Sequence, residues 1–294
     1  MRSASDKRWA FSGHIIMFVI TVLALMPFLL LIISSFTDEG AAVRNGYSFF
    51  PEQWSLEAYR YVGGQWSVIG RGYLVSFMVT IAGTVTGVSI SAMLAYTLSR
   101  KDLPGRSILM FLITFTMLFN GGLTSTYITY TQIFQLKNTM FGLLLPNLLL
   151  NAYSVFMFRN YFENNIPGAL LEAAYIDGAT EITTFAKVVI PLSLPMIATV
   201  GLTTALTYWN DWMNGVYYLS ANSKLQSIQT ILNSMNENIK FLQQNNLDID
   251  PAQSLPSTTV RMAIAVVGVL PILCAYPLFQ KWFVRGITVG AVKE

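Results

Sequence analysis

Six stretches of this chain carry no charged side chain for about 20 residues each, the length that crosses a bilayer. They are Ile15–Ile33, Tyr73–Leu98, Ser107–Leu136, Asn138–Phe158, Val188–Asn210 and Met262–Gln280. In lipid the backbone N–H and C=O groups have no water to bond, so such runs satisfy them internally, as helices. The soluble alternative would bury six long apolar helices in one domain. Composition argues against that, because only 11% of the residues are charged, against roughly 25% in ordinary soluble domains. The expected fold is an all-α membrane protein, one transmembrane domain over residues 1–294. Its six spans fall at about 14–34, 73–98, 107–127, 138–159, 194–214 and 261–280.

Lysine and arginine placement orients the spans. Arg2, Lys7, Arg8, Arg100, Lys101, Arg106, Arg159, Lys187, Lys281, Arg285 and Lys293 fall on one side, mostly in short segments. Arg44, Arg60, Arg71, Lys137, Lys224, Lys240 and Arg261 fall on the other, mostly in two long loops. The basic side is the cytoplasmic one, so both termini are expected there. No small-residue cleavage site stands out after the first run, which therefore reads as a span and not a removed signal peptide.

Along the chain, the first outer segment (35–71) is rich in aromatic residues, among them Phe49, Phe50, Trp54, Tyr59, Tyr61 and Trp66, which suits an ordered loop near the interface. The second span is rich in Gly, Ala, Ser and Thr, including Ala82, Gly83, Gly87 and Ala92. Small residues let helices approach closely, so this span is expected inside the bundle. Phe119-Asn120-Gly121-Gly122-Leu123 should break the third helix before the outer surface. Asn147 and Asn151 are expected one helical turn apart on the fourth span, either bonding across helices or lining a polar path. In Trp209-Asn210-Asp211, the carboxylate is costly in hydrocarbon, so it faces protein, water or the outer interface. A structural role and a role in a substrate path both fit it. An outer loop over 215–260 follows, with Asn and Gln abundant between Asn233 and Asn246, and a cytoplasmic tail over 281–294 closes the chain. The single Cys274 allows no internal disulfide and reads as packing. The single His14 sits at a membrane entrance as an interfacial residue.

The segment 163–195, on the cytoplasmic side, is itself helical in pattern. Pro167 suits a first helical turn, and Leu171, Ala174 and Tyr175 follow at helical spacing. Gly178 tolerates the positive φ of a stop. From Thr180 a second helix carries Ile182, Phe185 and Val189, limited by Pro191 and Pro195. Two helices this short cannot fold alone, so the knob needs a partner surface. Its acids Glu163, Glu172, Asp177 and Glu181 outnumber Lys187, which suits a basic cleft. Glu172 either pairs with a basic group on that partner or stabilises the early turn of its own helix.

No GxxxxGK[ST] phosphate loop, HExxH or Cys/His cluster occurs. Intramembrane carboxylates are sparse, which disfavours a proton relay. A transporter without a motor of its own must borrow one. Here the residues Glu172-Ala173-Ala174, Asp177-Gly178-Ala179 and Ile190-Pro191-Leu192 resemble the EAA motif of bacterial ABC importer permeases. Phe119–Leu123, Trp209–Asp211 and the ending YPLFQKWFVRGITVGAVKE are similar to the six-span permeases of carbohydrate importers, in the branch for complex oligosaccharides and polysaccharide fragments. That group includes the second membrane subunit of the maltose transporter. Glu294 stands where a glycine is expected in that group. The resemblance covers nearly the whole chain and implies the type I ABC importer permease fold.

It also implies partners: a second, homologous permease, two ATP-binding subunits that hold the ATP and Mg²⁺, an extracytoplasmic solute-binding protein and a lipid bilayer. No nucleic acid is implied, and this chain is expected to be no enzyme and to hold no cofactor. By the same resemblance Glu172, Ala173, Ala174, Asp177, Gly178, Ala179, Ile182 and Phe185 couple to the ATPase. Candidate path residues are Asn120, Asn147, Asn151, Trp209, Asn210 and Asp211. The loop 215–260 would meet the binding protein, and the tail from Lys281 would reach between the ATPases. A permease of the same superfamily for peptides or amino acids is the alternative reading. An ATP-independent carrier is a third.

Overall fold

A computed structural model describes residues 4–146, 148–244 and 258–291. Helices account for nearly all regular structure among them; the only β feature is an isolated antiparallel bridge between Thr37 and Trp54. The chain divides into two compact units, residues 1–69 with 232–271 and residues 70–231 with 272–294.

In the first unit, α1 (Ala4–Ser35) is exposed from Phe11 to Leu29, and only its last residues, Ser34 and Ser35, are buried. A helix that is apolar all round and covered by nothing in its own chain is built for lipid or a partner helix. Beyond it, α2 (Glu39–Asn45) is capped by Asp38, whose side chain accepts from Ala41 N at 3.1 Å. The short α3 (Glu57–Gly64) is anchored to the end of α1. Phe36 stacks on Tyr59 with ring centroids 4.7 Å apart, and the Tyr59 hydroxyl lies 2.8 Å from Ser35 Oγ. Glu39 accepts from the backbone N–H groups of Thr258 and Thr259, both at 2.8 Å. It thereby caps the start of the last helix, where unpaired N–H groups favour a negative charge.

The long α4 (Trp66–Ser99) supplies the core of the second unit. Its small residues do what close packing requires: a Cβ placed on Gly83 would fall on the Tyr208 ring. Next comes α5 (Arg106–Leu118), then a bend of 113° at Phe119–Gly121, where the chain turns into α6 (Gly122–Ile128) and a π turn, Thr129–Ile133. The FNGGL break expected from sequence is there. Asn120 Oδ1 accepts from Gly122 N at 2.9 Å and holds it.

The fourth apolar run differs from expectation. It is not one helix but a short α7 (Phe141–Leu144), an irregular stretch, and α8 (Ala152–Asn165). At 14 residues, α8 is about 21 Å long, short of the roughly 30 Å of hydrocarbon. The break is stable because its freed carbonyls are bonded by side chains from elsewhere. Tyr208 Oη donates to Leu144 O at 2.9 Å and Asn214 Nδ2 donates to Pro146 O at 3.0 Å. Irregular backbone at membrane depth is tolerated only with such substitutes.

The remaining elements are α9 (Gly168–Ile176), α10 (Glu181–Thr184), a π turn (Phe185–Val189), α11 (Ile190–Leu192), α12 (Leu194–Asn210), α13 (Met213–Tyr218), α14 (Ile228–Gln244) and α15 (Thr258–Ala291). The loop expected over 215–260 is therefore largely helical where described, and the amphipathic α14 carries Asn233 to Gln244. Residues 245–257 lie outside the described residues. The last helix runs through the expected end of the sixth span at 280 as far as Ala291.

The main core joins α4, α8 and α12 through Ala92, Ala95, Leu98, Val155, Phe158, Phe162 and Val200. Several hydroxyls on these apolar helices bond back to their own turns, as Thr86 does to Ala82 O at 2.6 Å. This keeps a polar group satisfied without water. Three described helices are long and apolar enough to cross a membrane alone, and each of two bent pairs could form one more.

Candidate functional site

Segment 163–195 folds as its local chemistry dictates. Pro167, at φ −62°, precedes the first turn of α9. At the other end Gly178 adopts φ +76°, its N–H donates to Tyr175 O at 3.0 Å, and Ala179 N donates to Ala174 O at 2.9 Å. This pair of bonds closes a helix through a left-handed residue, and glycine adopts that conformation without a Cβ clash. Thr180 then caps α10 by accepting from Thr183 N at 3.3 Å. The second helix does not stop at Pro191. It runs through the π turn to Leu192 and meets α12 at 82°, with Tyr161 Oη donating to Leu192 O at the corner.

One side of this knob is rooted. Leu171 and Phe185 pack on the core cluster, and the Phe185 ring lies 5.2 Å from that of Tyr96. The outer side is bare. Glu172, Ala173, Asp177 and Gly178 are exposed, and Ala174 and Ala179 half-buried. Around them Tyr175 is 79% exposed, Ile176 83% and Ile182 80%. This corrects two sequence expectations. Ile182 does not share the packed face with Phe185, and Tyr175 does not share it with Leu171. The reason is that α9 touches the core near its first turn only and buries no residue of its own.

The acids also divide. Glu163 accepts from Arg159 Nη2 at 2.8 Å and pairs with Arg106, whose Nε donates to Leu98 O at 2.8 Å. Glu181 accepts from Tyr96 Oη at 2.5 Å and from Arg100 Nη2 at 3.1 Å. Two of the four acids expected to meet a basic cleft are thus paired within the chain, leaving Glu172 and Asp177 on the outer side. Beside Glu181, the residues Met93, Tyr96, Leu103, Pro104, Ile182 and Phe185 line a largely apolar cavity of about 510 Å³.

The candidate path residues do not form one constellation. Asn120 supports the α5–α6 bend. Asn151 is the extended N-cap of α8, accepting from Tyr153 N at 2.8 Å, and Asn147 lies outside the described residues. Asn151 does line a cavity of about 770 Å³ with Tyr130, Phe134, Thr116 and the leucines of the broken run. Trp209 is buried against Phe77 and Tyr73, ring centroids 5.1 and 6.3 Å away, which makes it part of the packing. Asn210 ends α12 exposed, and Asp211 accepts from Asn214 N at 3.3 Å. Sequence reasoning missed Tyr208, Asn214, Arg106, Arg100 and Tyr96; only the tight Arg100–Arg106 turn signalled any of them. Among the described residues no cluster of His, Cys, Asp and Glu could hold a metal.

Apolar helices, a broken helix held by side chains and an exposed helix–turn–helix on a packed root are the features of a membrane component. Residues 87–289 match the family described as binding-protein-dependent transport system inner membrane component, and the chain belongs to that family. It is a multi-pass transport permease subunit. It is 37% identical over 281 residues to the polygalacturonan/rhamnogalacturonan transport system permease protein YtcP of Bacillus subtilis (strain 168), covering 96% of each chain. It is 32% identical to Protein LplC of the same organism, covering 92% of this chain and 90% of that one. Among solved structures it resembles a chain of a bacterial ABC transporter involved in the import of the acidic polysaccharide alginate. There the TM-score is 0.78 and the identity 28%, over 96% of this chain and 99% of that one. The fold is that of a type I ABC importer permease.

Proposed function

We propose that this chain is the permease subunit of an ATP-driven, binding-protein-dependent importer, and that its cargo is an acidic oligosaccharide or polysaccharide fragment. The observation that carries the mechanism is the knob, packed through Leu171 and Phe185 and bare over Glu172, Tyr175, Ile176, Asp177 and Ile182. Covering Ile176 and Ile182 contributes about 1.5–3 kcal/mol for each one fully buried. In this reading the partner is one of two ATPases, which hold the ATP and Mg²⁺. A second, homologous permease completes the pathway, and an extracytoplasmic binding protein delivers the saccharide. Both termini face the cytoplasm, as the Lys and Arg distribution supports. The acidic cargo is inferred from the named substrates of the YtcP relative and of the alginate importer.

The test is calorimetry on the cognate binding protein, titrated with oligogalacturonides and with neutral oligosaccharides of equal length. Tight binding of the acidic series alone supports the reading. Binding of the neutral series alone retains the importer and overturns the acidic cargo; preference for a peptide or amino acid overturns the saccharide class.

A further inference from the structure

We propose that two carboxylate clamps fasten the knob to the last turn of α4, and that Glu163 and Glu181 are positioning residues through which movement passes between the knob and the spans. The inference rests on the coupling role proposed above and names the parts that would carry it. The bare segment of the knob lies between the two clamps. Before it, Glu163 at the end of α8 pairs with Arg106, and Arg106 Nε reaches Leu98 O, in the last turn of α4, at 2.8 Å. Arg159, one turn back on α8, holds the same carboxylate oxygen at 2.8 Å. After it, Glu181 at the start of α10 takes the Tyr96 hydroxyl on one oxygen at 2.5 Å and Arg100 on the other at 3.1 Å. Tyr96 and Leu98 lie in the last turn of α4 and Arg100 follows it directly, so the knob is tied to that end of α4 on both sides of α9.

Stability alone does not account for the second clamp, the one at Glu181. The side chain of Glu181 is 63% exposed, and ion pairs so open to water contribute little to folding. Attachment comes from the apolar contacts of Leu171 and Phe185. Short, directional bonds to charged groups add orientation instead. With two partners on two different oxygens, Glu181 cannot swing without breaking one of them. A displacement of α10 therefore carries α4 with it.

The test uses the assembled transporter in proteoliposomes with its loaded binding protein. It reads ATP hydrolysis and uptake of a labelled oligogalacturonide together. For Glu181→Gln the ATPases co-purify and hydrolysis continues. Uptake per ATP falls about five- to tenfold, the factor that one ordinary hydrogen bond carries at a site this open to water. The swapped pair Arg100→Glu with Glu181→Arg recovers most of that loss, which assigns it to the pairing of the two charges; a fall in uptake per ATP with assembly and hydrolysis intact is what a merely structural role would not give. Unchanged uptake per ATP in both Glu181→Gln and Glu163→Gln overturns the clamps. Loss of ATPase co-purification in Glu181→Gln overturns them too, because it makes Glu181 a docking residue. If Glu181→Gln fails to reach the membrane, Tyr96→Phe, which removes one hydroxyl, is read by the same criteria. A wild-type chain that carries no ATPase would instead sink the coupling reading itself, and the clamps with it.

Discussion

Gly178 and Asn214 show how single residues decide this molecule. Gly178 sits at φ +76° and donates its N–H to Tyr175 O. Proline cannot adopt that φ and has no N–H to give. Gly178→Pro is therefore expected to insert in the membrane normally yet lose ATPase assembly or stimulation. Normal hydrolysis stimulated by the binding protein in that variant would rule out a coupling role for the turn. Gly178→Ala is the milder case. It meets only the left-handed penalty, about 1–2 kcal/mol, so it should assemble with weakened coupling. Asn214, buried at 5% exposure, does its work in the interior by bonding Pro146 O. Asn214→Ala leaves a buried carbonyl unpaired at a cost of about 1–3 kcal/mol. The expected result is a lower thermal unfolding midpoint in detergent, with Tyr208→Phe showing a similar fall through Leu144 O. An unchanged midpoint in both would mean the broken run is held by packing alone.

The elements divide by how far away their determinants lie. The knob was legible because its determinants are local: Pro167, Gly178 and Thr180 each act within a turn of where they stand. The FNGGL bend was legible for the same reason, through Asn120 and Gly122. The broken fourth run was not. Its apolar composition resembles that of an intact span, and the side chains that permit the break stand 64 and 68 residues later. Asn151 misled for a related reason, since a helical periodicity assumes the helix that its own capping role denies. The acids of the knob were assigned outward on local charge, while Arg106 and Arg100 lie 57 and 81 residues from their partners. At this scale α14 is the element to test. It is amphipathic and holds Asn233, Asn236, Glu237 and Asn238 on a helix started by Ile228 N bonding Ser76 Oγ at 2.9 Å. Deleting 233–246 leaves that start and the whole knob in place. Transport should be lost while ATPase docking survives; loss of docking would make the segment scaffold.

For the whole molecule, composition was enough for class, because the bilayer reads length and polarity before it reads packing. Crossing number is a different property, since two of the candidate spans are bent pairs and a bent pair can cross or return to the side it left. Charge asymmetry gives an independent handle. If the Arg100–Arg106 turn and the knob share the cytoplasm, the clamps that join them need no group to pass through lipid. On the same reading Asn222, in the turn before α14, faces outward. Cysteine labelling separates the possibilities in a Cys274→Ala background. Ala179→Cys should react with a membrane-impermeant maleimide only in inverted vesicles, and Asn222→Cys only in intact cells. Labelling of both from one side would mean that a bent pair turns back between them. The knob would then face the same compartment as the outer loop, and no cytoplasmic ATPase could reach it.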